Sequence, residues 1–313
     1  MKEELLISGR ANYLVDPHLH IWHWPIPLYL FLGGLAAGIL FFAALFHILG
    51  KEKEYPTIVR KAVFITPFLL VIGLLALFYD LNHKLFFWRL YTTIKIQSPM
   101  SWGAWTLMVV TPASIIWSAL HIKDIFPKFK WPFSWLEEIE AFFTKHKLAL
   151  AWVMLIFSVI LGIYTGILFS AFNARPLWNT SILGPLFLAS GMSAGAAAII
   201  MMSKNHAERL IMTKIDLIIL GVELFFITHM FMGFLASTEV QIEAAALFLG
   251  GPYTAVFWIF VVFLGIILPA ILEIMELRGY HVPAIIPGSL VLLGSLMLRF
   301  IFAFAGQESR WLY

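Results

Sequence analysis

The side chains able to do chemistry in this chain gather beside strongly apolar runs, and many of them fall at one level. "PHLHIWHWPIP" sets His18, His20 and His23 around Trp22 and Trp24. "FYDLNHKLFFWRLY" carries Asp80, Asn82, His83 and Arg89, and "YTGILFSAFNARPLWN" carries Tyr164, Asn173, Arg175, Trp178 and Asn179. Between them "SPMSWGAW", Ser98 to Trp105, puts two hydroxyls, two indoles, a proline and a glycine at the mouth of another apolar run. Aromatic and glycine walls with a few hydrogen-bonding groups suit a flat dione such as a quinone, which needs a partner near each carbonyl oxygen and an apolar opening for its tail. Histidine can donate to one carbonyl and exchange the proton that accompanies each electron near neutral pH. Tyrosine or asparagine can serve the other. Taken singly, an interfacial Trp or Tyr only anchors a chain at a membrane surface, a boundary histidine is a solvated loop residue, and Asp80 and Arg89 form a surface pair. Their co-location carries the ligand reading.

Other ionisable groups lie deeper. Glu223 stands near the middle of an apolar run, with Asp216 towards one end and His229 towards the other. A carboxyl there either relays protons or is held protonated against another helix. Glu273 and Glu276 close a later run and read as solvated boundary residues. His47 and His121 lie near the ends of two runs and could ligate a b-type haem, which makes a haem-b anchor one rival reading. An ion-translocating module without quinone chemistry is another. The absence of cysteine removes iron–sulfur clusters, cysteine-held zinc and disulfides from this chain, and no metal site is expected.

The elements that must position these groups are membrane helices. Of the 313 residues 61% are hydrophobic and 12% charged, against about 25% charged in soluble domains. Runs of about 20 apolar residues are each long enough to cross a bilayer core. Eight such spans are expected: 24–49, 57–79, 102–121, 148–171, 182–203, 215–236, 254–274 and 283–305. The loops joining spans 1–2, 3–4 and 5–6 carry a clear excess of Lys and Arg, among them Lys51, Arg60, Lys123, Lys147 and Arg209. The positive-inside rule puts them in the cytoplasm and both termini outside. The first residues mix acids with bases around no apolar core, so they do not read as a cleaved signal peptide. "SWLEEIEAFF" has a capping-box spacing at Ser134 and Glu137 and reads as an interfacial helix. "GGLAAG" (33–38) is echoed by "SGMSAG" (190–195), small residues four apart that let helices approach closely. The echo suggests two parallel four-helix halves, 1–179 and 180–313. Nothing points to a nucleic-acid partner.

"LYLFLGGLAAG", "SPMSWGAW", "YTGILFSAFNARPLWN" and "LLGSLMLRFIFAFAGQES" together closely resemble the membrane subunit of polysulfide reductase and its relatives, the NrfD-type integral membrane proteins. The matches run from the first span to the C-terminus. The resemblance implies an all-α integral membrane protein of eight helices in two four-helix bundles. It implies a site for menaquinone or ubiquinone in the first bundle near the outer (periplasmic) face of a prokaryotic inner membrane, and no haem or iron–sulfur cluster in this chain. The implied partners are a ferredoxin-like iron–sulfur subunit with four clusters and a molybdopterin catalytic subunit on the outer face. His23 matches the family's quinone-contacting histidine and Tyr164 its site tyrosine; Arg175 and Asn179 match its "RPLWN" motif. Asp80 and Trp102 stand beside them, while Asp216 and Glu223 offer a proton path from the cytoplasm. Relatives commonly read Asp-Leu-Gly-Arg-Pro after the second span; this chain reads "DLNHKL" (80–85), keeping the acid alone.

Overall fold

The structure, a computed structural model, describes residues 22–310, and all regular elements among them are helical. His18 and His20 lie outside the described residues. Ten helices carry the argument: α1 Pro25–Ile48, α2 Thr57–Asp80, α3 Pro99–Leu120, α4 Ser134–Lys145, α5 Lys147–Ser170, α6 Leu183–Met202, α7 His206–Leu235, α8 Glu239–Ala246, α9 Thr254–Leu277 and α10 Ile285–Glu308. Seven of them (α1, α2, α3, α5, α6, α9 and α10) are long and apolar enough to cross a membrane. The expected sixth span, all but its last residue, falls within α7, a helix of 30 residues that starts nine residues earlier than the apolar run. The hydrophilic first turns, with Glu208 and Arg209, extend it: the Asn205 side chain accepts the Ala207 N–H and caps its start.

In lipid no hydrophobic drive brings helices together, so close packing and internal hydrogen bonds must do it. The two echoed glycine motifs turn out to face each other. A Cβ on Gly38 would stand within contact-breaking distance of the Gly191 carbonyl, and one on Gly195 would meet the Gly38 backbone. Gly34 also approaches Gly191, so the pairs advance in the same direction and α1 runs parallel to α6. α10 runs antiparallel to α6, since Arg299 reaches the Phe187 carbonyl at 3.1 Å while Gly288 lies against Met201. At one end of the molecule, the Trp22 N–H donates to Gln307 Oε1 at 2.9 Å and Gln307 Nε2 donates back to the Trp22 carbonyl at 3.0 Å. The start of α1 and the end of α10 therefore lie together.

Prolines shape α2 and α9. Pro67 cannot donate to the carbonyl four residues back, Val63, and its ring pushes that carbonyl aside. The freed oxygen accepts from Thr66 Oγ1 at 2.7 Å and Ser118 Oγ at 3.3 Å. The wide turn before it, Thr57–Lys61, leaves the Val59 carbonyl to the Trp117 indole at 2.9 Å. α9 is similarly widened over Phe257–Ile267 just ahead of Pro269. Neighbouring side chains thus satisfy backbone groups that lipid could not.

α4 forms as expected, but the Ser134 side chain makes no capping bond. Its apolar residues also divide between two faces: Leu136 and Phe143 are half-buried, whereas Trp135, Ile139 and Phe142 are exposed.

Candidate functional site

Helical spacing builds a cavity of about 140 Å³ where α1, α2, α3 and α5 converge near Trp22. α1 supplies Ile26 and Tyr29, α2 supplies Leu77 and Asp80, α3 supplies Met100, Ala104 and Leu107, and α5 supplies Tyr164 and Leu168. Each set is spaced three or four residues apart, so each helix turns one stripe inward. Trp22, Leu81, Leu90 and Tyr91 complete the wall. Engineered apolar cavities of about 150 Å³ accept a benzene-sized molecule, so this enclosure is of the right order for one six-membered ring.

Its polar groups are few and convergent. Tyr29 and Tyr164 are both buried and line the cavity side by side. The Asp80 carboxyl belongs to the lining, and His23 Nδ1 lies 3.7 Å from Asp80 Oδ1. His23 itself stands outside the lining with its side chain 66% exposed, so it connects the acid to solvent. Tyr91, half-buried at the rim, has its hydroxyl pKa raised by burial.

Gly103 explains the glycine of "SPMSWGAW". A Cβ there would lie 1.9 Å from Tyr164 Cζ and 2.3 Å from its hydroxyl, so the missing side chain is the space the tyrosine ring occupies. The rest of the motif fastens the segment before α3. The Ser101 hydroxyl donates to the Thr93 carbonyl at 3.3 Å, and the Trp102 indole donates to the Ile96 carbonyl at 2.7 Å. Ser98 makes no side-chain capping bond.

Besides His23, three of the expected contacts are not brought to the cavity. Trp102 is half-exposed and serves the loop just described. Arg175 is buried and donates to the Ser309 carbonyl at 2.9 Å. Asn179 is exposed and its carbonyl accepts from Gln241 at 3.1 Å. With the Trp178 indole donating to the Phe302 carbonyl at 2.8 Å, "RPLWN" staples the α5–α6 loop to the end of α10. Conversely, sequence reasoning passed over Tyr29, Leu90 and Tyr91. Tyr29 is the only hydroxyl in α1, a signal that was available.

Asp216 and Glu223 are buried in the second half of the molecule, within a longer polar series. The guanidinium of Arg299 donates to Ser190 Oγ at 2.9 Å, to Ser295 Oγ at 2.6 Å and to the Phe187 carbonyl. Glu223 lies beside Ser190 and Arg299, and Asp216 beside Ser193 and Glu273, though neither Asp216 oxygen meets hydrogen-bond geometry. Glu273 and Glu276, expected at a solvated boundary, are instead buried, and Glu276 pairs with Arg209.

His47 and His121 converge on Glu52 rather than facing one another across a ligand. The carboxyl meets His47 Nδ1 at 2.8 Å, His121 Nε2 at 3.3 Å, Lys147 Nζ at 2.8 Å and Arg60 Nε at 3.0 Å. His121 and His47, with Lys147, hold the Glu52 pKa far below the usual carboxylate range. His121 Nδ1 meets the Trp117 carbonyl at 2.9 Å, so both its ring nitrogens are engaged and neither is left for a haem iron. Among the described residues, no group of three or more His, Asp or Glu is placed to hold a metal ion.

Residues 14–309 match the family model described as polysulphide reductase, NrfD. The chain is 31% identical over 307 residues to the protein NrfD of Escherichia coli (strain K12), covering 92% of this chain and 95% of that one. It is 30% identical over 304 residues to a polysulfide reductase chain of Wolinella succinogenes, covering 92% and 94%. A tetrathionate reductase subunit of Salmonella typhimurium is 28% identical over 188 residues, 60% of this chain and 50% of that one. With seven helices able to cross a bilayer, these matches make the chain a multi-pass protein of a prokaryotic inner membrane, and it belongs to the NrfD family of polysulphide reductase membrane proteins.

Proposed function

We propose that this chain is the quinone-reactive membrane anchor of a respiratory oxidoreductase complex, with its site at the outer face. The observation that carries the reading is the cavity: one acid and two buried tyrosine hydroxyls in an apolar enclosure at the end of a membrane helix bundle. Oxidation of a bound quinol yields quinone, two electrons and two protons. The Tyr29 and Tyr164 hydroxyls hold one headgroup oxygen, and Asp80, beside the other, takes up each of the two protons in turn. Asp80 passes each to His23, whose exposed ring delivers it to water. In the reverse direction the same groups supply protons. The electrons leave through a ferredoxin-like iron–sulfur subunit that docks outside and serves a molybdopterin catalytic subunit; relatives named as parts of polysulfide and tetrathionate reductases support such an assembly.

In this reading α7 is the eighth span, and residues 1–179 and 180–313 form two four-helix bundles. The geometry supports eight crossings: α1 and α6 run parallel, α10 runs opposite to α6, and α10 ends beside the start of α1. An even number of crossings satisfies all three, and α7 supplies the missing one. The bias of Lys and Arg towards the Glu52 end supports that end as cytoplasmic. Asp216 and Glu223, extended by Glu273, Glu276 and Ser190, form a proton path from the cytoplasm.

The test is quinol oxidation by the purified complex, with quinone extracted from it. Tyr164→Phe and His23→Ala are expected to reduce turnover at least tenfold while the complex stays assembled. Undiminished turnover in both would favour an ion-translocating module or an inert anchor. A haem absorption band from this subunit would favour the cytochrome reading.

A further inference from the structure

The cavity is not closed on every side. It shares Leu77, Leu81, Leu90 and Tyr91 with a second hollow of about 250 Å³ that runs along the outer surface of α2. The remaining walls of that hollow are apolar, and Val71, Leu75 and Phe78 on α2 are themselves exposed, on the side that would face lipid. Its other bank is the segment between α2 and α3, two short helical turns at Lys84–Phe86 and Arg89–Thr92, neither with a single buried residue. The far end of the segment is fastened to α3 through Ser101 and Trp102. Its near end touches α2 through an aromatic pair, Phe78 and Phe87, edge to face at 5.9 Å, and through the Lys84 ammonium 5.2 Å from the Tyr79 ring centre; of the two, only the aromatic pair lines the hollow. An edge-to-face pair of this kind adds little beyond its buried area, so it can part without disturbing the helices on either side.

We propose that this hollow is the lateral portal for the isoprenoid tail of the quinone, and that Phe78 and Phe87 form the clasp that parts when a tailed quinone enters or leaves. The inference rests on the quinone reading of the cavity and adds a route to it. A hollow with no charged lining residue, continuous with the ring-sized enclosure and open towards lipid, matches a polyprenyl chain and offers nothing to a hydrophilic partner. A tail-less quinol needs no such path, because a polar mouth lined by Asn82, Arg89 and Ser101 also meets the cavity wall at Leu81, Leu90 and Met100.

The sequence has no cysteine, so Phe78→Cys with Phe87→Cys introduces its only thiols. In the assembled complex these can be joined by a short reversible bis-thiosulfonate linker. Turnover is then measured with a long-tailed quinol and with a tail-less analogue, against both single variants treated alike. The proposal expects the linked complex to lose at least tenfold in long-tailed turnover, to keep tail-less turnover within twofold, and to recover on reduction. Equal retention of both substrates, as expected for a hollow that merely holds an acyl chain, would overturn it; equal loss of both would overturn the tail assignment. A wild-type complex that oxidises neither quinol would instead overturn the quinone reading beneath it. Should the double variant fail to assemble, Leu75→Trp on the rim gives a second measure: KM is expected to rise severalfold for the long-tailed quinol alone, and an unchanged KM would refute the portal.

Discussion

Adding a single methyl group at position 103 tests the site more sharply than removing any of its polar groups. In Gly103→Ala the new Cβ would stand 1.9 Å from Tyr164 Cζ, with the hydroxyl and Cε2 at 2.3 and 2.4 Å. Normal carbon–carbon contact is about 3.5–4.0 Å, so the ring must retreat by at least about 1.5 Å. It cannot retreat freely, because Tyr164 is only 6% exposed and Tyr29 stands beside it. Overpacking of this kind costs about 1–3 kcal/mol of stability. The functional loss should be larger, since a displacement of about 1 Å in a positioning group can cost ~10²-fold in rate. Thermal unfolding in detergent and steady-state quinol oxidation would be read side by side. Gly33→Ala is the control: the same helix-favouring change, but with nothing within 4 Å of its Cβ. A Gly103→Ala protein that keeps full turnover and matches the control in stability would refute the account of how the motif shapes the cavity.

Asp80→Asn is expected to leave the fold intact and cut quinol turnover at least tenfold, because on the proposed route His23 loses the acid 3.7 Å away that would feed it protons; the pH–rate profile of the variant checks this. Glu223→Gln should abolish charge movement by the complex in liposomes while sparing quinone binding, and unchanged charge movement would end the proton-path reading. Glu52→Gln removes a carboxylate held below its ordinary value of 4.5 by His121, His47 and Lys147, so it should cost about 2 kcal/mol at pH 7. A depressed pKa stabilises the fold above that ordinary value and loses its effect as pH falls below it. The melting-temperature gap between wild type and variant should therefore narrow only in acid, below about pH 4.5. Gly38→Val, which thrusts a branched side chain at the Gly191 carbonyl, should separate α1 from α6 and lower the melting temperature far more than Gly33→Val.

The sequence made the helices legible because lipid permits so few alternatives. Seven of the eight expected spans are matched by helices long and apolar enough to cross a membrane, usually to within a few residues, since apolar length alone decides where a backbone can cross. α7 overran its expected start because Glu208 and Arg209 extend it through partners on other elements, Thr57 and Glu276, which apolar periodicity does not register. The level of the cavity matches that of the co-located polar groups, but its contacts were not legible. Tyr164 and Asp80 reach the cavity, whereas Arg175 is drawn away by the Ser309 carbonyl, a partner 134 residues distant. Glu273 was expected in water and is buried, because burial at a helix end depends on which neighbour packs over it. His47 and His121 suggested a pair of haem ligands; the residue that claims both is Glu52, in a loop read only for its basic residues.

The meeting of the two glycine motifs bears on how the protein is made. α1 is the first described helix, yet it ends as the most enclosed of the membrane-crossing candidates, with 83% of its apolar window buried. Its partner α6 leaves the ribosome about 150 residues later, at roughly 5–20 residues per second, so the Gly34–Gly38 face waits in lipid for many seconds. A helix apolar on every side can wait safely, because lipid is as good a neighbour for it as protein. Interrupting synthesis after α5 would strand that bare face, and the expected product is a half-molecule that pairs with its own copies through the surface meant for α6. The close approach of α1 and α6 can therefore form only after α6 has been made, long after α1.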